Sequence, residues 1–298
     1  MQIVNGIIIK ALSGFYYVEA ADKIYECKAR GVFRKNGQAP YVGDYVTIQI
    51  SEDNTGTVTK IMPRKNSFLR PSIANIDNFF IVCSTVFPSP VTLNIDKVMV
   101  LAERQGITPT LIVSKIDLDS GEKLIDIYKS AGIEVIPVCI GSKQNIDLIR
   151  DRLKGKKSVF TGNSGVGKST LLNSLFKELD IQTAPISKKL GRGKHTTRHV
   201  EFYKIDSDSY VADTPGFSEI DINKYGIITN KQELAWCFPE FRQYIDGCKF
   251  SSCSHICEKG CMLLKALAEG KITKSRFNSY VSIYKELEDM TKTKKIRQ

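Results

Sequence analysis

The 298-residue sequence predicts a chain of three parts. These are an N-terminal β-barrel of the oligonucleotide-binding (OB) type, a central α/β domain of the P-loop class, and a C-terminal helical zinc-binding module. Three observations predict it. About five short strand-like runs fall before residue 70. A Gly-x4-Gly-Lys-Ser loop stands between an apolar run and a helical one. Four cysteines and a histidine crowd into residues 248–261.

Composition sets the outer bounds. Hydrophobic residues at 42% and charged residues at 25% are ordinary for folded proteins and exclude a mostly disordered chain. The longest apolar run, Phe79 to Phe87, contains Ser84 and Thr85 and reads as a buried strand. It is far shorter than the ~18 residues of a membrane helix. The first 30 residues lack the pattern of a signal peptide, so a soluble, cytoplasmic protein without membrane contact is expected. Net charge is +11 and uneven: +4 over residues 1–70, +2 over 71–225 and +5 over 226–298. Basic ends around a nearly neutral middle suit an anionic partner such as nucleic acid, though charge alone does not decide it.

The first part spans residues 1–68. Strands are expected at Ile3–Ala11, Phe15–Glu19, Ile24–Ala29, Tyr45–Ile50 and Thr57–Ile61, separated by turn residues. Arg30, Phe33, Arg34 and Lys35 set an aromatic among cations, as a stacking and phosphate-binding surface would; an ordinary loop with solvated charges is the alternative.

The second part spans residues 69–225. Strands at Asn78–Ser84, Thr110–Val113 and Glu134–Val138 alternate with helices at Leu93–Gln105 and Gly121–Ala131, which implies a parallel sheet. Lys157–Thr161 forms another strand, and Gly162-Asn163-Ser164-Gly165-Val166-Gly167-Lys168-Ser169 follows, with Thr170 opening a helical run. In a P-loop, backbone N–H groups surround the phosphates at a helix N-terminus. Lys168 then reaches the β- and γ-phosphates and Ser169 binds Mg²⁺. Strands at Glu201–Ile205 and Ser209–Ala212 lead to Asp213-Thr214-Pro215-Gly216. Asp213 is expected on Mg²⁺, and the Gly216 N–H near the γ-phosphate. Between them, Gly191 to Arg198 has the makeup of a mobile loop, and Thr196 or Thr197 completes the Mg²⁺ shell; the sequence does not choose.

The strand Leu111–Val113 runs into Ser114-Lys115-Ile116-Asp117. GTPases read guanine with Asn-Lys-x-Asp: the Asp accepts from N1–H and the exocyclic amine, and the Lys stem packs on the ring. Lys115 and Asp117 keep both roles, and Ser114 replaces the Asn. This loop precedes the P-loop, the reverse of the usual order, so the expected GTPase domain is circularly permuted.

These elements together resemble the circularly permuted, ribosome small subunit-dependent GTPases of the RsgA type. The resemblance extends over nearly the whole chain. It is carried by Gly43-Asp44-Tyr45-Val46, Arg64 to Pro71, Ala74-Asn75-Ile76-Asp77, the nucleotide loops with Asp213-Thr214-Pro215-Gly216-Phe217, Phe238-Pro239-Glu240-Phe241 and Cys248-Lys249-Phe250. Ser114 and Cys139-Ile140 depart from its guanine-reading residues. The resemblance implies a monomeric enzyme that binds GTP/GDP, docks on the small ribosomal subunit and its rRNA, and acts in late subunit maturation. Phe217 stands where many small GTPases carry a water-orienting Gln. An apolar ring cannot orient water, so His195 is the expected catalytic group, ordered by the partner. The alternative is a nucleotide-dependent RNA-binding protein without strict guanine specificity.

The third part spans residues 226–298. Cys248, Cys253, His255 and Cys261 offer three thiolates and an imidazole, a common set for structural zinc. Cys257 is a competing fourth ligand by spacing, and the family resemblance favours His255. Phe277, Tyr280, Tyr284 and Leu287 place one apolar stripe on a final helix.

Overall fold

The computed structural model describes residues 2–35, 37–53, 55–178, 200–213 and 231–296. The N-terminal segment forms β1 (Gln2–Leu12), β2 (Phe15–Ala20), β3 (Lys23–Ala29), α1 (Gly31–Lys35), β4 (Tyr45–Ile50) and β5 (Gly56–Ile61). The five strands close a barrel in the order β1-β2-β3-β5-β4. Strand β1 is long enough to serve two neighbours. Its first half pairs antiparallel with β4 and its second half with β2, with a register shift between Ile8 and Lys10. The parallel pair β3–β5 completes the closure. Alternation puts Ile8, Val18, Cys27, Val46, Ile48 and Val58 inside. Residues 31–35, read as loop in the sequence, make a short helix that leaves Phe33 half-buried.

After the barrel come β6 (Ser67–Phe68), β7 (Ile73–Ala74), β8 (Asn78–Ser84), α2 (Thr92–Arg104), β9 (Thr110–Ser114), α3 (Glu122–Ser130), β10 (Val135–Val138), α4 (Ile146–Leu153), β11 (Lys157–Thr161), α5 (Lys168–Glu178), β12 (Phe202–Lys204) and β13 (Tyr210–Asp213). The expected strands and helices form close to their expected limits. Helix α4 was not anticipated, because it is short and buries only Ile146, Ile149 and Leu153 among charged neighbours. The chain ends in α6 (Arg242–Ile245), α7 (Met262–Ala268) and α8 (Lys274–Ile296). Among the described residues no helix is long and apolar enough to cross a membrane.

The chain divides into two compact units. One holds Met1–Asn78, Arg150–Phe160 and Ser169–Pro215, and so the barrel with β11, β12 and β13. Strand β13 pairs parallel with β11 and antiparallel with β12. Polar side chains fasten the linker to the barrel. Asp44, fully buried, accepts from Arg64 Nε and Nη2 at 2.7 Å each, and the guanidinium lies 3.9 Å from the Tyr41 ring centroid. Asn75 Nδ2 donates to the Gly43 carbonyl and Asn75 Oδ1 accepts from the Lys65 amide. Lys157, first in β11, donates from Nζ to the Tyr45 hydroxyl at 2.6 Å.

The other unit holds Phe79–Ile149, Thr161–Lys168 and Gly216–Gln298. Here β10, β9 and β8 pair parallel in that order. Phe79–Ser84 and all of β9 are buried, as expected of strands covered on both faces. Helix α8 lies along α2, joined by Ser275 to Thr92, Arg276 to Asp96 and Lys97 to Glu286. The predicted stripe is confirmed: Tyr280, Tyr284 and Leu287 are buried and Phe277 is half-buried. Tyr280 meets Phe238 and Phe241 edge-on at 5.6 and 5.4 Å, and those two rings stack at 4.8 Å.

Candidate nucleotide site and metal centre

Strand β11 delivers the phosphate loop and α5 receives it. Gly162, Gly165 and Gly167 have φ of 154°, 83° and 94°. At Gly162 a side chain is excluded twice, by this backbone and by space. A Cβ there would stand 2.2 Å from the Val82 carbonyl oxygen. The loop thus lies against the end of β8, with Val166 buried beneath it and Ser164 and Gly165 exposed above. In a loop of this kind, successive N–H groups ahead of the helix suit phosphate. Lys168 opens α5, with Ser169 and Thr170 in its first turn. The Ser169 hydroxyl has no hydrogen bond among the described residues, so it fits an Mg²⁺ ligand. Asp213 ends β13, in register beside Phe160 of β11. His195, Thr196, Thr197 and Gly216 lie outside the described residues.

The guanine-type loop is bonded directly to the phosphate loop. Ser114, fully buried at the end of β9, has its hydroxyl 3.0 Å from the Cys83 carbonyl and 2.5 Å from the Val166 carbonyl. Its single proton serves either acceptor. Gly167 adjoins this place: a Cβ there would make ordinary contact, 3.7 Å, with both Ser114 Oγ and Ile140 Cδ1. Lys115 donates from Nζ to the Gly165 carbonyl at 2.9 Å and also to the Phe87 carbonyl. Ile116 is half-buried, and Asp117 is exposed with no partner among the described residues. The sequence reading missed the segment after β8. There Thr85 donates from its hydroxyl to the Lys115 carbonyl at 2.9 Å. Its only sequence signal was a pair of hydroxyl residues closing an apolar strand.

In the same unit, the ligand atoms of Cys248, Cys253, His255 and Cys261 all lie within 4.8 Å of one another. His255 is buried and has φ of 58°. Its Nδ1 is 3.4 Å from Cys248 Sγ and 3.5 Å from Cys261 Sγ, and the two sulfurs are 3.9 Å apart. Tetrahedral zinc with the usual bond lengths requires about 3.5 Å for N···S and about 3.8 Å for S···S. The set fits. Cys257, the competing ligand, is exposed and stands outside the cluster. Burial pushes the Cys253 thiol up and lowers His255. Glu258 shapes the loop by accepting from the amides of Ser254, Ile256 and Cys257, and Tyr280 ties it to α8 through the Ser254 carbonyl.

A closed five-stranded barrel, a P-loop bonded to a guanine-type loop that precedes it in the chain, and a Cys3His cluster define a circularly permuted P-loop GTPase. The model of the RsgA GTPase family matches residues 61–223, and that of the RsgA N-terminal domain matches residues 5–58. The chain belongs to the RsgA GTPase family, a family of GTP-hydrolysing enzymes. It is 43% identical over 291 residues to the small ribosomal subunit biogenesis GTPase RsgA of Geobacillus kaustophilus, covering 96% of this chain and 98% of that one. Among solved structures, YjeQ from Thermotoga maritima superposes with a TM-score of 0.79 at 32% identity, over 96% of this chain and 99% of that one. The circularly permuted GTPase YloQ gives 0.76 at 34% identity, over 97% and 96%.

Proposed function

We propose that this protein binds the small ribosomal subunit and hydrolyses GTP during its late maturation, stimulated by ribosomal RNA. The observation that carries the guanine assignment is the bonding of Ser114 and Lys115 to the carbonyls of Val166 and Gly165. A base-reading loop fixed to the phosphate loop holds base and phosphates at one spacing. The names of the relatives supply the partner.

The roles follow from chemistry. Asp117 reads the guanine edge, the Lys115 stem covers the ring, and Ser114 with Ile116 completes the loop. The N–H groups of residues 162–170 hold the phosphates, and Lys168 neutralises their charge. Mg²⁺, bound by Ser169, Asp213 and Thr196 or Thr197, would add to that neutralisation, with the Gly216 N–H at the γ-phosphate. His195 orients the attacking water once RNA orders its loop. One Zn²⁺ on Cys248, Cys253, His255 and Cys261 is structural, because four protein ligands leave no place for water.

The barrel (1–68) precedes the nucleotide domain (69–225) in the sequence and the metal module (226–298) follows it, and each binds RNA. Phe250 is exposed, with Lys249 Nζ 5.7 Å from its ring, as a base-stacking surface would be. The protein works as a cytoplasmic monomer. The test is GTP and ATP turnover with and without purified small subunits. GTP-specific stimulation is expected, and equal rates with and without subunits would overturn the reading.

A further inference from the structure

We propose that Thr85 is a positioning residue for guanine recognition, acting through the backbone of Lys115 to aim Asp117. The inference rests on the guanine reading of residues 114–117 and adds a residue outside that loop.

Asp117 is exposed and has no partner among the described residues. Among the described residues nothing bonded to its carboxylate fixes its direction, which leaves that task to the turn of the backbone. That turn begins at Lys115, whose φ of 61° is uncommon for a residue with a side chain. Such a conformation persists where its surroundings hold it. The Lys115 carbonyl accepts the Leu118 and Asp119 amides at 3.0 and 3.4 Å, which closes the turn around Asp117. The third donor to this carbonyl, and the one from outside the loop, is the Thr85 hydroxyl at 2.9 Å.

Thr85 is itself well held. Its amide donates to the Ser114 carbonyl at 3.1 Å, which extends the β8–β9 ladder by one bond. Its methyl fills the place of a side chain at Gly121, where a Cβ would come within 2.6 Å of Thr85 Cγ2. Gly121 has φ of 64° and suits no other residue well. With the methyl lodged and χ1 stiff, the hydroxyl has one direction, toward Lys115. Two residues on, the Phe87 carbonyl accepts the Lys115 ammonium. One short segment thus grips Lys115 at both its backbone and its tip. The Thr85 bond can be removed without touching any group that meets nucleotide.

The experiment compares the dissociation constants of GDP and IDP, which lacks only the exocyclic amine that Asp117 reads. It uses the full-length wild type, Thr85→Val and Thr85→Ser. Valine keeps the shape and removes the hydroxyl; serine keeps the hydroxyl. The GDP preference of wild type should fall about fivefold in Thr85→Val, the size of one lost hydrogen bond, and return in Thr85→Ser. Melting curves check folding, and Thr85→Ala replaces Thr85→Val if the latter fails to fold, with the same drop expected. A wild-type GDP:IDP ratio in a folded variant lacking the hydroxyl overturns the inference while leaving the guanine reading intact. A wild type without GDP preference overturns both.

Discussion

Arg276 and Asp96, 180 positions apart, meet through Nη1 and Oδ1 at 2.5 Å with side chains 1% and 0% exposed. Glu240 completes the group, accepting from Arg276 Nε at 2.7 Å and Nη2 at 3.1 Å. The guanidinium also lies 4.7 Å from the Phe238 ring centroid. A cation from the last helix is thus shared by a carboxylate of α2 and one from the Phe238–Phe241 turn. Arg276→Ala strands two buried carboxylates and should destabilise the protein by about 3–5 kcal/mol. Combining it with Asp96→Asn and Glu240→Gln removes the stranded charge and should recover part of the loss. Thermal melting of the single and triple variants checks this; equal melting of Arg276→Ala and wild type would refute the role assigned to the group.

Ser114 makes a second, smaller prediction. Ser114→Ala removes the bond to Val166 and Cys83 and should speed GDP release about fivefold, as one lost hydrogen bond of ~1 kcal/mol implies. Ser114→Asn places a longer side chain in a fully buried position beside Gly167 and Ile140, and should weaken nucleotide binding rather than improve it. Stopped-flow release of a fluorescent GDP analogue measures both. Release at the wild-type rate from Ser114→Ala would show that the P-loop does not depend on the hydroxyl.

Metal removal should act locally. If the cluster holds zinc as proposed, Cys261→Ser or a strong chelator should leave the protein without zinc and expose residues 248–261 to proteolysis. Cys257→Ser should keep full metal content, because that thiol is exposed and outside the cluster. Elemental analysis of the purified variants decides; loss of zinc from Cys257→Ser would reverse the ligand assignment.

His195→Ala should bind GDP as wild type does and lose subunit-stimulated turnover by roughly 10²-fold, the lower range for a lost general acid or base. Single-turnover hydrolysis with and without small subunits measures it. Stimulated turnover equal to wild type would remove His195 from the mechanism.

What the sequence disclosed depended on how far apart the interacting residues lie. The P-loop, the barrel strands and the cysteine spacing are local patterns, and each was legible. His255 over Cys257 was not decided by spacing, because the two differ in burial, which the fold sets: His255 is buried in the cluster and Cys257 is exposed outside it. Arg276 carried no local signal, since its partners stand 36 and 180 residues away. Thr85 was hidden for the same reason: its role appears only when the chain after β8 is laid beside residue 115, 30 positions on.

The Arg276–Asp96 pair also sets an order of events during synthesis. Asp96 leaves the ribosome 180 residues before its counter-charge exists. At ~5–20 residues per second that is an interval of roughly 10–40 s. Throughout it, burying α2 in its final place would leave the Asp96 carboxylate without its cation, a cost that favours keeping the surface destined for α8 open to water. A chain cut before residue 276 lacks the cation that offsets both Asp96 and Glu240, so the final packing of α2 beside the Phe238–Phe241 turn waits on α8.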